Sequence, residues 1–144
     1  RCQLELALSA GKPVIIHSRA AARQTCEILE DYKDSGLKGV MHCFTYDRKT
    51  ADRCLNLGFL LSFGGILTFS KARELRSIAR ETPSDRYLIE TDSPYLAPVP
   101  FRSKTNRPAY VVKVAETLAD LRGIDVETVA RESSRNFEHL FGLS

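Results

Sequence analysis

Four short apolar runs, each followed by a stretch with helical spacing, restrict this chain to very few architectures. Pro13-Val14-Ile15-Ile16-His17, Gly39-Val40-Met41-His42-Cys43-Phe44, Phe59-Leu60-Leu61-Ser62-Phe63 and the run from Tyr87 to Asp92 lie between glycine or proline stops and are rich in β-branched and aromatic residues, the signature of strands. About sixteen residues of helical pattern follow the first run, with Thr25, Ile28, Leu29 and Tyr32 on one face and Gly36 as the stop. Asp47 can cap a helix carrying Ala51, Cys54 and Leu55, and Ser70 can cap one carrying Leu75, Ile78 and Ala79. Strand and helix thus alternate four times. Near-continuous apolar strands of this kind have both faces covered, so the fold class is α/β with a parallel sheet.

Beyond Asp92 the pattern changes. Ser93 to Arg107 is a long loop holding Pro94, Pro98 and Pro100, and structureless loops of that length more often serve function than not. Pro108 opens a helix with Val111, Val114, Ala115 and Leu118 on its buried stripe, closed by Gly123; another begins near Asp125, and Asn136 can cap a last short turn that docks Phe137, Leu140 and Phe141. A chain of 144 residues with 43% hydrophobic content supports one core, so residues 1–144 are read as a single domain. Arg1 to Ala10 read as the end of a helix already under way, which leads to the expectation that an amino-terminal part is missing.

Bulk properties exclude several classes. The net charge of +3, from 21 basic and 18 acidic residues, gives no polybasic run, so composition favours neither nucleic acid nor its absence. Four scattered cysteines form no Cys-x-x-Cys pair, which argues against a zinc ribbon or a disulfide framework and suits a reducing cytoplasm. No apolar run reaches the roughly 18 residues of a membrane span, and no signal peptide is visible, so no membrane partner is expected.

The chemistry collects where strands end. Side chains alternate along a strand, so Glu90 and Asp92 share one side of the fourth run. Two carboxylates at the end of an apolar strand call for a compensating cation or hydrogen-bond network, unless an acidic loop simply begins there. His17 closes the first run and His42 nearly closes the second. In parallel α/β folds ligands bind at the carboxyl edge, so His17, His42 and Asp92 make a partial site for a divalent cation. Arg19 lies two residues past His17, and Arg102, Lys104 and Asn106 lie in the proline loop; such a mixture suits a phosphoryl substrate, while structural salt bridges to Glu90 or to helix ends remain the other reading of the arginines. His139, on the terminal helix, is read as a surface residue. Ser62 and Gly64-Gly65 are read as leaving room at the third strand's exit, since a nucleophilic serine would need an adjacent base that the sequence does not offer.

Pro-Val-Ile-Ile-His-Ser-Arg (13 to 19), Met-His-Cys-Phe-Thr (41 to 45), Ser-Phe-Gly-Gly-Ile-Leu-Thr-Phe (62 to 69) and Ile-Glu-Thr-Asp-Ser-Pro-Tyr-Leu-Ala-Pro-Val-Pro-Phe-Arg (89 to 102) resemble the TatD family of metal-dependent deoxyribonucleases. The likeness continues through Asn106-x-Pro108 to Asn136-Phe137-x-x-Leu140-Phe141-Gly142 and covers essentially the whole chain. It implies a TIM-type (β/α)8 barrel, two divalent cations (Mg, Mn or Zn), hydrolysis of DNA phosphodiester bonds, and His17, His42 and Asp92 as metal ligands. Asp92 is also expected to accept a proton from the attacking water and Glu90 to orient a ligand, both serving catalysis, while Arg19, Arg102 and Asn106 are expected to contact substrate. The family's His-x-His pair and metal-bridging glutamate have no counterpart here, so the chain resembles strands five to eight only. Ala20 stands where an aspartate commonly follows the arginine, and Tyr46 where a glycine usually follows His-Cys-Phe-Thr. Amide or lactone hydrolysis on the same barrel is the rival activity, and a non-catalytic half-barrel that pairs with another copy or with a missing half is the rival of another class.

Overall fold

A computed structural model describes residues 1–143. After helix α1 (Cys2–Ser9) come β1 (Val14–His17), α2 (Ala22–Glu30), β2 (Gly39–His42), α3 (Arg48–Asn56), β3 (Leu60–Phe63), a 3₁₀ turn (Gly65–Thr68), α4 (Arg73–Glu81) and β4 (Tyr87–Ile89). The proline loop leads through a second 3₁₀ turn (Pro108–Tyr110) into α5 (Val111–Arg122) and α6 (Val126–Phe141). The four strands form one sheet in the order β1-β2-β3-β4 with every pair parallel. The α/β class and the parallel sheet are as the alternation of elements requires.

Register sorts the strand residues into two faces. Ile16 pairs with Met41, Met41 with Leu61, and Leu61 with Tyr87; this outer face carries the main core, in which Met41, Leu61, Phe63 and Tyr87 meet Leu29, Ile78, Val114, Leu118 and Val129 from the helices. Each large apolar side chain fully buried there contributes about 1.5–3 kcal/mol. The inner face carries Ile15, Val40, Leu60 and Leu88, of which the last three pack with Leu140 and Phe141 of α6. Ile15 is 65% exposed on that side.

Helix ends follow local chemistry. The Asp47 and Asp125 carboxylates accept the Thr50 and Thr128 backbone N–H groups at the starts of α3 and α6, caps worth about 1 kcal/mol each. Ser70 does not act this way: α4 begins at Arg73 behind Ala72, because the 3₁₀ turn and the Phe69–Ala72 backbone bond carry the chain past the serine first. Nor does Asn136 start a separate turn. With no glycine or proline to interrupt it, α6 runs unbroken to Phe141, and the Asn136 amide donates instead to the carbonyls of Ser84 and Tyr87. Together with the Ile89 N–H, which donates to Ser133 Oγ, these bonds satisfy the edge of β4 that faces away from β3.

The fourth strand is shorter than its sequence suggests. Its last ladder bond runs from the Glu90 N–H to the Phe63 carbonyl, and Asp92 takes a left-handed backbone with φ of 57°. The chain therefore turns before the second carboxylate is reached. Gly65 makes this possible from the other side: a Cβ there would stand 2.0 Å from the Leu96 carbonyl oxygen, so only glycine lets the proline loop lie against β3's exit. Among the described residues no helix is long and apolar enough to cross a membrane.

Candidate metal and hydrolytic site

His17 and His42 are register partners at the carboxyl ends of β1 and β2, with ring centroids 6.0 Å apart. The His42 ring is the hub. Its Nδ1 lies 2.9 Å from Glu90 Oε2 and its Nε2 lies 3.1 Å from Asp92 Oδ1. Ser62, next to His42 on the inner face, donates its hydroxyl proton to the same Glu90 oxygen at 2.5 Å. The other Glu90 oxygen, Oε1, is buried and has no hydrogen-bond partner.

A neutral imidazole has one N–H and cannot donate to two carboxylates at once. If Nδ1–H serves Glu90, then the lone pair of Nε2 faces the Asp92 oxygen, and two acceptors confront each other. Either a second ring proton or a metal cation between them resolves the conflict. Two ligands on one ion, each bonded at about 2.0–2.1 Å, stand about 2.9–3.4 Å apart for octahedral to tetrahedral angles. The observed 3.1 Å between Nε2 and Oδ1 falls in that interval. The Glu90 contact on Nδ1 then has the form in which an outer carboxylate fixes a ligating histidine's tautomer and orientation. The unpartnered Glu90 Oε1 adds a further acceptor, so the donor set fits a divalent metal ion.

The structure brings two of the three expected ligands together. Among the described residues no three acidic, histidine or cysteine side chains close around a common point; His42 and Asp92 meet, whereas His17 stands exposed beside them. Cys43, in a left-handed conformation with φ of 47°, sits in the same field. Burial first, then the charges of Glu90 and Asp92, push its thiol up to about 12, so it is held as a neutral thiol rather than a nucleophile.

The expected substrate contacts divide. Arg19 is exposed at the β1 exit, with no ion pair or hydrogen bond among the described residues. The Arg102 guanidinium carbon lies 3.6 Å from the centre of the Phe69 ring, a cation–π contact that holds the group while its N–H donors can serve an anion. Asn106 is only 3% exposed, and its polar atoms are used inside the loop: Nδ2 donates to the Thr91 and Tyr95 carbonyls and Oδ1 accepts the Arg107 N–H. Its place is to tie the proline loop to the backbone just ahead of Asp92. Ser62 has more than a spacing role, since it is the hydroxyl partner of Glu90. Two-residue periodicity back from that strand end, which puts Ser62 on the face of His42, was the available signal.

Residues 1–142 match the family described as TatD-related DNase. The chain belongs to that family. It is 51% identical over 140 residues to the uncharacterised metal-dependent hydrolase YcfH of Escherichia coli K12, covering 97% of this chain and 53% of YcfH. To the 3'-5' ssDNA/RNA exonuclease TatD of Erwinia amylovora it is 36% identical over 146 residues, covering 98% of this chain and 56% of that protein. Among solved structures, YjjV, a TatD homologue from Escherichia coli K12, superposes with a TM-score of 0.89 at 29% identity, covering 97% of this chain and 54% of YjjV. The chain thus spans about half the length of the curated relatives it matches.

Proposed function

We propose that this chain forms the carboxy-terminal half of a TatD-type (β/α)8 barrel and takes part in metal-dependent hydrolysis of DNA phosphodiester bonds. The observation that carries this reading is the His42 ring held between Glu90 and Asp92, with Nε2 and a carboxylate oxygen spaced as ligands of one ion. The family membership and the relatives named metal-dependent hydrolases support it.

His42 and Asp92 would hold the ion, with His17 alongside, and Glu90 and Ser62 would keep the imidazole oriented. A divalent cation held there would supply Lewis acidity toward a phosphoryl oxygen and toward water, which is the chemistry phosphodiester hydrolysis needs. Asp92, at the strand exit and 30% exposed, can also accept a proton from attacking water. Arg102, held over Phe69, and Arg19, on the opposite side of the rim, supply cations for the non-bridging phosphate oxygens. The partner we propose for the chain is DNA. The exposed Ile15 strip on the inner face is the surface that the remaining four strand-helix units of the barrel would cover. The test is cleavage of a labelled oligonucleotide with added Mg²⁺ or Mn²⁺. Metal-dependent cleavage that Asp92→Asn abolishes supports the reading, and cleavage unaffected by Asp92→Asn rejects the role given to that residue.

A further inference from the structure

Tyr46 stands where the family resemblance leads one to expect glycine, and the structure gives its hydroxyl a definite task. It accepts the Ala21 backbone N–H at 3.2 Å and lies 2.8 Å from Ser18 Oγ, which in turn lies 2.8 Å from Thr25 Oγ1 of α2. Once the phenol accepts from Ala21, its single proton is available for Ser18, and the Ser18 proton for Thr25. One side chain on the β2–α3 connection thereby ties down both ends of a short segment of the β1–α2 connection. Between those ends lie Arg19 and Ala20.

The segment needs to be held. Ala20 has φ of 53°, a left-handed conformation that is strained for any residue but glycine. The anchor itself is firm: the Tyr46 ring packs edge-on against buried Phe44, with centroids 5.9 Å apart at 81°, and the next residue, Asp47, caps α3. Arg19 then projects from a fixed loop two residues past His17, a cation with no partner among the described residues at the edge where ligands enter.

We propose that Tyr46 is a positioning residue for Arg19: its hydroxyl fixes the β1–α2 loop so that the guanidinium is presented as a phosphate contact beside the candidate metal site. This rests on the phosphodiester reading given above and extends it to a residue pair that sets substrate affinity. Tyr46→Phe keeps the ring and its packing on Phe44 and removes only the hydroxyl, so the fold is preserved and the tie is cut.

Three readings on the purified protein decide the matter. Hydrogen exchange at the Ala21 amide is expected to accelerate about tenfold in Tyr46→Phe, since the N–H loses its acceptor. With bis(p-nitrophenyl) phosphate and Mg²⁺, Tyr46→Phe and Arg19→Ala are each expected to raise KM about 3- to 10-fold with kcat within about twofold, and the double variant to match Arg19→Ala alone. Unchanged exchange at Ala21, or a KM effect of Tyr46→Phe that persists undiminished in the Arg19→Ala background, overturns the proposal. A wild-type protein inactive on phosphodiesters contradicts the hydrolytic reading instead, and titration with inorganic phosphate then decides for Tyr46. Equal weakening in Tyr46→Phe and Arg19→Ala upholds the positioning role, and unaltered binding in both refutes it.

Discussion

The two faces of the sheet are built from alternate residues of the same four strands, yet they do opposite things. On the outer face Met41, Leu61, Phe63 and Tyr87 are all 2% exposed or less and are covered by helices. On the inner face an apolar patch of Val40, Leu60 and Leu88 gives way, at the carboxyl end, to His42, Ser62 and Glu90, while Ile15 lies open. The difference teaches that stability and chemistry are separated here by one residue of register. A substitution on one face should disturb folding, and its neighbour on the other should disturb the site.

The largest effect expected from that contrast is on the packed side. Leu61→Ala, at a position with no exposure, should lower unfolding free energy by about 2–5 kcal/mol in denaturant titration; a loss below that of an exposed-site control would break the division between faces. Next, Asp92→Asn should cost about 100-fold or more in metal-dependent turnover, roughly 2.7 kcal/mol, while moving stability by less than about 0.5 kcal/mol. Ser62→Ala should be smaller and mixed: loss of its bond to Glu90 costs about 1 kcal/mol of stability and loosens His42, lowering turnover several-fold.

Two weaker tests sharpen the picture. Arg102→Ala should raise KM for a phosphodiester a few-fold and leave a neutral ester or lactone unaffected; equal effects on both would favour the amide or lactone chemistry. On the outer side, burial and the neighbouring Cys26 raise the Cys54 thiol to about 12. The unfolded chain ionises this thiol near the ordinary value of about 8.5, so it binds fewer protons than the native state above that pH. Stability should therefore fall as pH climbs from about 9 toward 12, and Cys54→Ala should flatten that slope after correction for its cavity.

Much of this was legible in the sequence because it depends on patterns with a short period. Strand positions, the parallel sheet and the placement of His17, His42, Glu90 and Asp92 at one edge follow from two-residue alternation and from glycine stops. The length of β4 was not legible, since the turn at Asp92 arises from a left-handed backbone on a residue that does not advertise it. Asn106 and Asn136 were misread in the same way. A polar residue in a loop or before a terminal turn suggests a ligand contact or a cap, but both amides are used on carbonyls 11 to 52 residues away along the chain. Long-range partners of that kind leave no trace in local spacing. Tyr46 was conspicuous by its identity, and its partners Ser18 and Ala21 emerged only when two neighbouring connections were seen side by side.

The central claim is that His42 and Asp92 share a cation. Titration of the protein with Mn²⁺, followed by electron paramagnetic resonance of the free ion, measures it without reference to any substrate. The account predicts saturable binding that weakens by about 10-fold or more in both His42→Ala and Asp92→Asn. Binding of equal strength in the wild type and both variants would contradict it.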